Sequence, residues 1–375
     1  VVLALLASGL LFAQVVTAET LVIRADRVFT SSDKGVIENA ANVVTDGKIS
    51  RIGTNDQIDT PDGSRELRTS VVLPGLVDSH TLVGVSGSFN MHADQDGFEA
   101  SDPAGAEYRV LDSFNPNESL VKYALKMGVT TLHITPRPTA PIAGSTAIFK
   151  SSGNLADAML IKPDAAMLFN LGEAPKSAFG GGKGPSTRMA TAALIRAELY
   201  KAREWSAKAE DKRSPDLALK ALAAVLSGDM QAIFTARRED DIATALRLAR
   251  EFKLKPIIVY GTEAYLMRNI LADQNATIVM APTMQRVGGM ETGNGTLEAA
   301  ALLEAGNVSY VFATGYEAYV PKTRVLLWEV AMAVANGLDA ETAVRAATID
   351  PATLWGIDER VGSLEKGKDA DMVLF

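Results

Sequence analysis

Short apolar runs alternate with stretches of helical period along most of the chain. Strands are predicted at Val129 to Thr135, Ser145 to Lys150, Ala165 to Leu171, Gln231 to Ala236, Pro256 to Tyr260, Thr277 to Ala281 and Ser309 to Thr314, each a few apolar residues closed by Gly, Pro or a polar side chain. Helical spacing fits between them at Leu120 to Met127, Met189 to Ala209, Leu217 to Leu226, Ile242 to Phe252, Ala264 to Leu271, Leu297 to Glu304 and Arg324 to Asn336. One more strand runs through Leu76 and Val77 and ends at His80, so an imidazole stands at the carboxyl end of a buried strand, where α/β barrels keep their chemistry. By period alone a doubly wound sheet would read similarly.

Before residue 70 the pattern changes to short β-like pieces, Thr20 to Ile23, Val28 to Thr30, Asn42 to Val44 and Lys48 to Ile52, parted by Asp46-Gly47, Gly53-Thr54-Asn55 and Pro61-Asp62-Gly63. Turn residues at those intervals predict a small antiparallel layer. Residues 1–18 carry no charge and end in Val16-Thr17-Ala18, like the apolar core and cleavage site of a secretory signal without its Met and basic start. Such a run implies a periplasmic or secreted protein, and it is too short to predict a membrane span.

Composition narrows the partners. A formal charge of -8 over 375 residues argues against nucleic acid, which wants a basic face, and leaves a small-molecule or protein partner. Zero cysteines exclude a disulfide framework and any thiolate metal site. Gly180 to Thr187 is not a Walker loop, because Gly184 separates Lys183 from the next hydroxyl residues. The acids Asp94, Asp96, Glu99 and Asp102 lack calcium-loop spacing and read as a solvated lid.

Pro74-Gly75-Leu76-Val77-Asp78-Ser79-His80-Thr81-Leu82 resembles the first barrel strand of the amidohydrolase superfamily, which usually reads P-G, two apolar residues, then D-x-H-x-H. Gly362-Ser363-Leu364 to Gly367-Lys368-Asp369-Ala370-Asp371 resembles the family's return strand. Gly172-Glu173-Ala174-Pro175-Lys176, Thr187-Arg188-Met189 and Arg238-Glu239-Asp240-Asp241-Ile242 are similar to one branch, the exported imidazolonepropionase-like amidohydrolases. The resemblance implies a (β/α)8 TIM barrel over 71–357, flanked by a small β-sandwich built from 19–70 and 358–375, after a signal segment at 1–18. The apparent loss of both chain ends leads us to expect a truncated sequence.

The family pattern also implies a metal site: two histidines on strand one, Glu or carboxylated Lys on strand four, His on strands five and six, and Asp on strand eight. Here His80 and Glu173 match, whereas Leu82, Thr235 with Arg237, Tyr260 and Gly315 stand where the other ligands are expected, with Glu317 the nearest acid to the last. The chain has three histidines, His80, His92 and His133, and the complete set needs four. The expectation is therefore no cofactor, or a weakly bound divalent metal, zinc by family resemblance.

Resemblance alone implies a hydrolase of carbon–nitrogen bonds other than peptide bonds, such as those of cyclic amides or imidazolones. The substitutions predict instead a pseudoenzyme, or the partner of an active paralogue in a hetero-oligomer; a homo-oligomer is the other possibility. The alternatives are an active amidohydrolase with an altered one-metal or metal-free site, and a small-molecule-binding scaffold. Candidate catalytic residues are His80, Glu173 and Arg237, with Asp78, Lys176, Arg188, Tyr260 and Tyr316 at the mouth. His80 is a relic ligand, a general base or a hydrogen-bonded core histidine. Arg237 either turns inward to pair with Glu173 or outward to solvent, and the tyrosines either stack a ligand or close the space a metal would take.

Overall fold

The computed structural model describes residues 19–89, 91–182, 184–316 and 325–375; the signal-like run 1–18, Lys183 and Glu317 lie outside them. The first four strands are β1 (Thr20–Phe29), β2 (Val36–Thr45), β3 (Lys48–Thr54) and β4 (Arg65–Pro74). β1–β2 and β2–β3 pair antiparallel. Asp46 (φ 51°) and Gly47 (φ 72°) close the second hairpin, as its two-residue turn demands. β1 runs unbroken through the two pieces predicted separately, and β4 was not predicted. Its sequence, RELRTSVVLP, is mostly polar and half-exposed until its last four residues, so it carries no apolar signature.

β4 pairs parallel with β1 and antiparallel with the C-terminal strand, so both chain ends share one five-stranded sheet. An ion network fastens that sheet to the barrel: Lys150 bonds Asp371 and Asp369 (3.1 Å), and Lys48 (2.5 Å) and Arg360 (2.8 Å) also bond Asp369. Burial alone would raise the Asp369 carboxyl, but the bonds from Lys48 and Lys150 override it and hold the group at about 2. Its stabilisation is thus complete above the unfolded value near 3.8 and disappears as pH falls toward 2. Lys150→Met is expected to cost about 1 kcal/mol at pH 7, discounted for solvent screening. Urea unfolding at pH 7 and pH 2.5 checks this, and an equal loss at both would contradict it.

The barrel strands are β5 (Leu76–Thr81), β6 (Val129–Ile134), β7 (Ile142–Ser145) with β8 (Ala147–Lys150), then, after the outer strand β9 (Leu160–Lys162), β10 (Ala166–Asn170), β11 (Gln231–Ala236), β12 (Ile257–Tyr260), β13 (Thr277–Met280) and β14 (Ser309–Phe312). β15 (Met372–Leu374) is the return strand of the flanking sheet. β5–β6 and the run β10 to β14 pair parallel, and Gly315 N donating to His80 O at 2.9 Å closes the ring. Helices such as Glu239–Phe252 lay their apolar side, Ile242, Ala245, Leu246 and Ala249, against this wall.

The third position of the ring departs from the pattern. β7 and β8 form one kinked strand, broken at Thr146, that pairs antiparallel with β10 on one side and with β6 on the other. The connection from β6 into β7, residues 135–141, therefore crosses the mouth directly instead of descending through a helix. Packing about the barrel strands is aromatic and close, with Phe169 stacked on Phe234 (5.2 Å) on the face that meets the helices and the buried Trp355 against His133 (4.1 Å).

Candidate functional site

His80 sits at the end of β5, fully buried, and neither ring nitrogen has a hydrogen-bond partner among the described residues. It is therefore not the hydrogen-bonded core histidine that was one expectation. Burial first, and then the nearby His133 and Arg237, push its pKa down to about 3, so the ring is neutral at ordinary pH. His133 is the bonded core histidine: Nδ1 donates to Ser79 O (2.9 Å) and Nε2 accepts from the Thr146 hydroxyl (2.7 Å). A carbonyl can only accept, which fixes that tautomer.

Asp78 does not reach the mouth. It is buried between β5 and β14, accepting from Thr314 N (2.9 Å), Thr314 Oγ1 (2.5 Å) and His80 N (3.4 Å), and burial pushes its pKa up to about 6. Its role is to clamp the seam where the barrel closes.

At the strand-six position Tyr260 meets His80 edge-on at 5.6 Å. Its φ of 76° lies in the left-handed region that bulky residues seldom adopt, at a cost of about 1–3 kcal/mol. Arg237, just past β11, lays its guanidinium 3.8 Å over the Tyr260 ring and donates to Gln285 Oε1 at 3.3 Å. Neither expectation for Arg237 holds: it faces neither Glu173 nor open solvent. Thr235, on the same strand, donates to Asn170 Oδ1 (2.7 Å).

Glu173 is displaced from its expected place because β10 stops at Asn170. It opens the short helix Glu173–Phe179, and its side chain is 45% exposed, 3.9 Å from Arg188. Arg188 is already engaged by two other acids: Nε donates to both Asp241 oxygens (3.0 Å each) and Nη2 to Glu291 Oε1 (3.2 Å). The same Glu291 oxygen accepts from Glu173 N at 2.7 Å. Gly172, with φ 83°, makes this approach possible, and a Cβ there would run into the Glu291 carboxylate. Gly172→Ala is expected to lose about 2–4 kcal/mol, from strain plus the broken carboxylate contact. A thermal midpoint equal to that of the parent chain would contradict it.

A cavity of about 480 Å³ opens at the mouth, with Arg137, Arg237, Tyr260, Tyr316, Phe98 and Glu291 among its lining residues. Of the candidate residues only Arg237, Tyr260 and Tyr316 reach it. His80 lies beneath Tyr260, Arg188 is held in its carboxylate cluster, and Lys176 lines a separate shallow depression with Glu173. Arg137, Phe98, Gln285 and Glu291 were not predicted. Arg137 follows strand two directly in Thr135-Pro136-Arg137-Pro138, and that position past a barrel strand was a usable signal. Glu291 lies in an irregular segment with none.

Residues 239–375 match the amidohydrolase family. The crystal structure of an amidohydrolase from Thermotoga maritima MSB8 matches with a TM-score of 0.87 at 29% identity, covering 94% of this chain and 93% of that one. The chain carries an amidohydrolase-family domain over residues 239–375 and an amidohydrolase fold along most of its length. A zinc-bound adenosine deaminase from Xanthomonas campestris shares the amidohydrolase fold at a TM-score of 0.52 and 19% identity, over 94% of this chain and 84% of that chain. The amidohydrolase tasK of Hapsidospora irregularis is 24% identical over 335 residues, 80% of this chain; the chain spans only 34% of that relative's length.

Amidohydrolases typically hold zinc, and the residues at this mouth do not fit such an ion. A zinc site needs three or more nitrogen, oxygen or sulfur ligands. Here the strand ends offer one buried imidazole, the hydrocarbon of Leu82, a threonine already bonded to Asn170, a tyrosine ring and a guanidinium that carries its own positive charge. Among the described residues no group of three or more histidines and acids is gathered to hold a metal.

Proposed function

We propose that this amidohydrolase is non-hydrolytic and uses its barrel mouth to bind a small molecule, alone or beside an active paralogue in a mixed oligomer. The observation that carries the reading is Arg237 stacked on Tyr260 beside His80: a fixed cation and an aromatic ring occupy the strand ends from which ligands would have to come. A cation so placed repels a divalent ion, and Gly315 stands where the family pattern expects the aspartate that would accept a proton from water. Glu173, the one other matching position, supports the reading by turning toward Arg188. The cavity is of a size that suits small ligands.

The test is elemental analysis of the purified chain, followed by hydrolysis assays on cyclic amides and imidazolones with and without added zinc or manganese. The expected result is well under one metal per chain and no turnover in either condition. Stoichiometric metal with turnover abolished by His80→Ala would overturn the proposal in favour of a working altered site.

A further inference from the structure

We infer that the mouth cavity is a site for an organic anion: a small molecule with a carboxylate on an apolar or aromatic body, its carboxylate received by Arg137 and Arg237. This deepens the proposed function and rests on its reading of the mouth as a ligand site. Both guanidinium groups line the cavity, and among the described residues neither has a carboxylate within ion-pair distance. Arg137 is held by its surroundings: its backbone N–H donates to Gly97 O (2.6 Å), and its guanidinium packs 5.1 Å from the Tyr316 ring and 6.0 Å from Phe98. Arg237 is held over Tyr260 at 3.8 Å, with one bond to Gln285. Stacking occupies the flat faces of a guanidinium and leaves donors along its edge, the geometry that grips a carboxylate with two parallel bonds.

Arg188 shows the contrast, because it is ion-paired to Asp241 and Glu291. Glu291 is the acid on the cavity wall; it accepts from Arg188 and from Glu173 N and feels the Arg237 charge, but among the described residues it forms no ion pair with either mouth arginine. The remaining wall is apolar or aromatic: Phe98, Pro138, Leu171, Ala174, Tyr260 and Tyr316. Such a wall favours an anion with a hydrocarbon or aromatic body over inorganic phosphate, which would leave those surfaces wet.

The test is calorimetric titration of the full chain at pH 7 with 3-phenylpropionate, its neutral amide 3-phenylpropionamide, and inorganic phosphate. The carboxylate is expected to bind one per chain, the amide at least about tenfold more weakly, and phosphate not to displace the carboxylate at tenfold excess. Arg137→Gln and Arg237→Gln should each weaken the carboxylate about tenfold or more while leaving the ligand-free melting temperature within a few degrees. If a glutamine variant fails to fold, Arg137→Lys and Arg237→Lys replace it, with a smaller but measurable loss expected because the charge stays and the fork goes. Equal binding of acid and amide, displacement by phosphate, unchanged affinity in the variants, or no heat with any probe would each overturn the inference. A chain that is metal-free and non-hydrolytic yet binds no carboxylate sinks only this inference; a metal-loaded, hydrolysing chain sinks the proposed function itself.

Discussion

Replacing His80 by leucine is expected to leave the protein folded and to flatten the acid side of its stability curve. The imidazole is buried without hydrogen bonds among the described residues, so its removal orphans no partner, and at pH 7 the variant should gain about 1 kcal/mol. The pH dependence has a definite sign. A base whose folded pKa is about 3 against an ordinary 6.5 stays neutral in the fold but takes up a proton on unfolding. Its contribution is complete above pH 6.5 and is lost as pH falls toward 3, at about 1.4 kcal/mol per pH unit. The difference between parent and His80→Leu should therefore widen in the variant's favour by roughly 3 kcal/mol between pH 6.5 and 4. Urea midpoints across that range read it directly, and parallel curves would show that the ring is hydrated or charged in the fold.

Asp78→Ala is expected to be among the most damaging single changes, at about 2–4 kcal/mol. The carboxylate collects the amide and hydroxyl of Thr314 and the amide of His80, so alanine removes the acceptor those three donors share at the seam between the first and last barrel strands. Asp78→Asn keeps the shape and one acceptor and should cost roughly half as much. Its pH behaviour runs opposite to that of His80. A carboxyl raised by burial to about 6 from 3.8 makes the parent less stable as pH climbs between those values, a slope that both variants should lose. Equal stability of the alanine and asparagine variants would mean that packing, not hydrogen bonding, closes the barrel.

The barrel was legible because its strands are short buried runs with clear stops. The predicted Gln231 to Ala236 matches β11 in full, and the others err by a residue or two at their ends, save the third, which begins three residues earlier at Ile142 and breaks at Thr146. Strand direction was not legible, since the buried run Ala147–Lys150 reads the same pointing up or down. At the site, which residues stand at the strand ends, Leu82, Thr235, Tyr260 and Gly315, could be read because the neighbouring motif residues fixed the register. How those residues pack could not. Whether Arg237 would take Glu173 or an aromatic face depends on where the fourth strand stops, and three residues decide that.

The reversed third strand has a mechanical corollary for the rim. Residues 135–141 are a short span anchored at both ends in the barrel wall, so the cation they carry at Arg137 has little slack. A ligand would meet a stiff collar there, not a flap that must first fold down over it. Lengthening the span by two or three glycines should loosen that collar and leave the strands on either side in place.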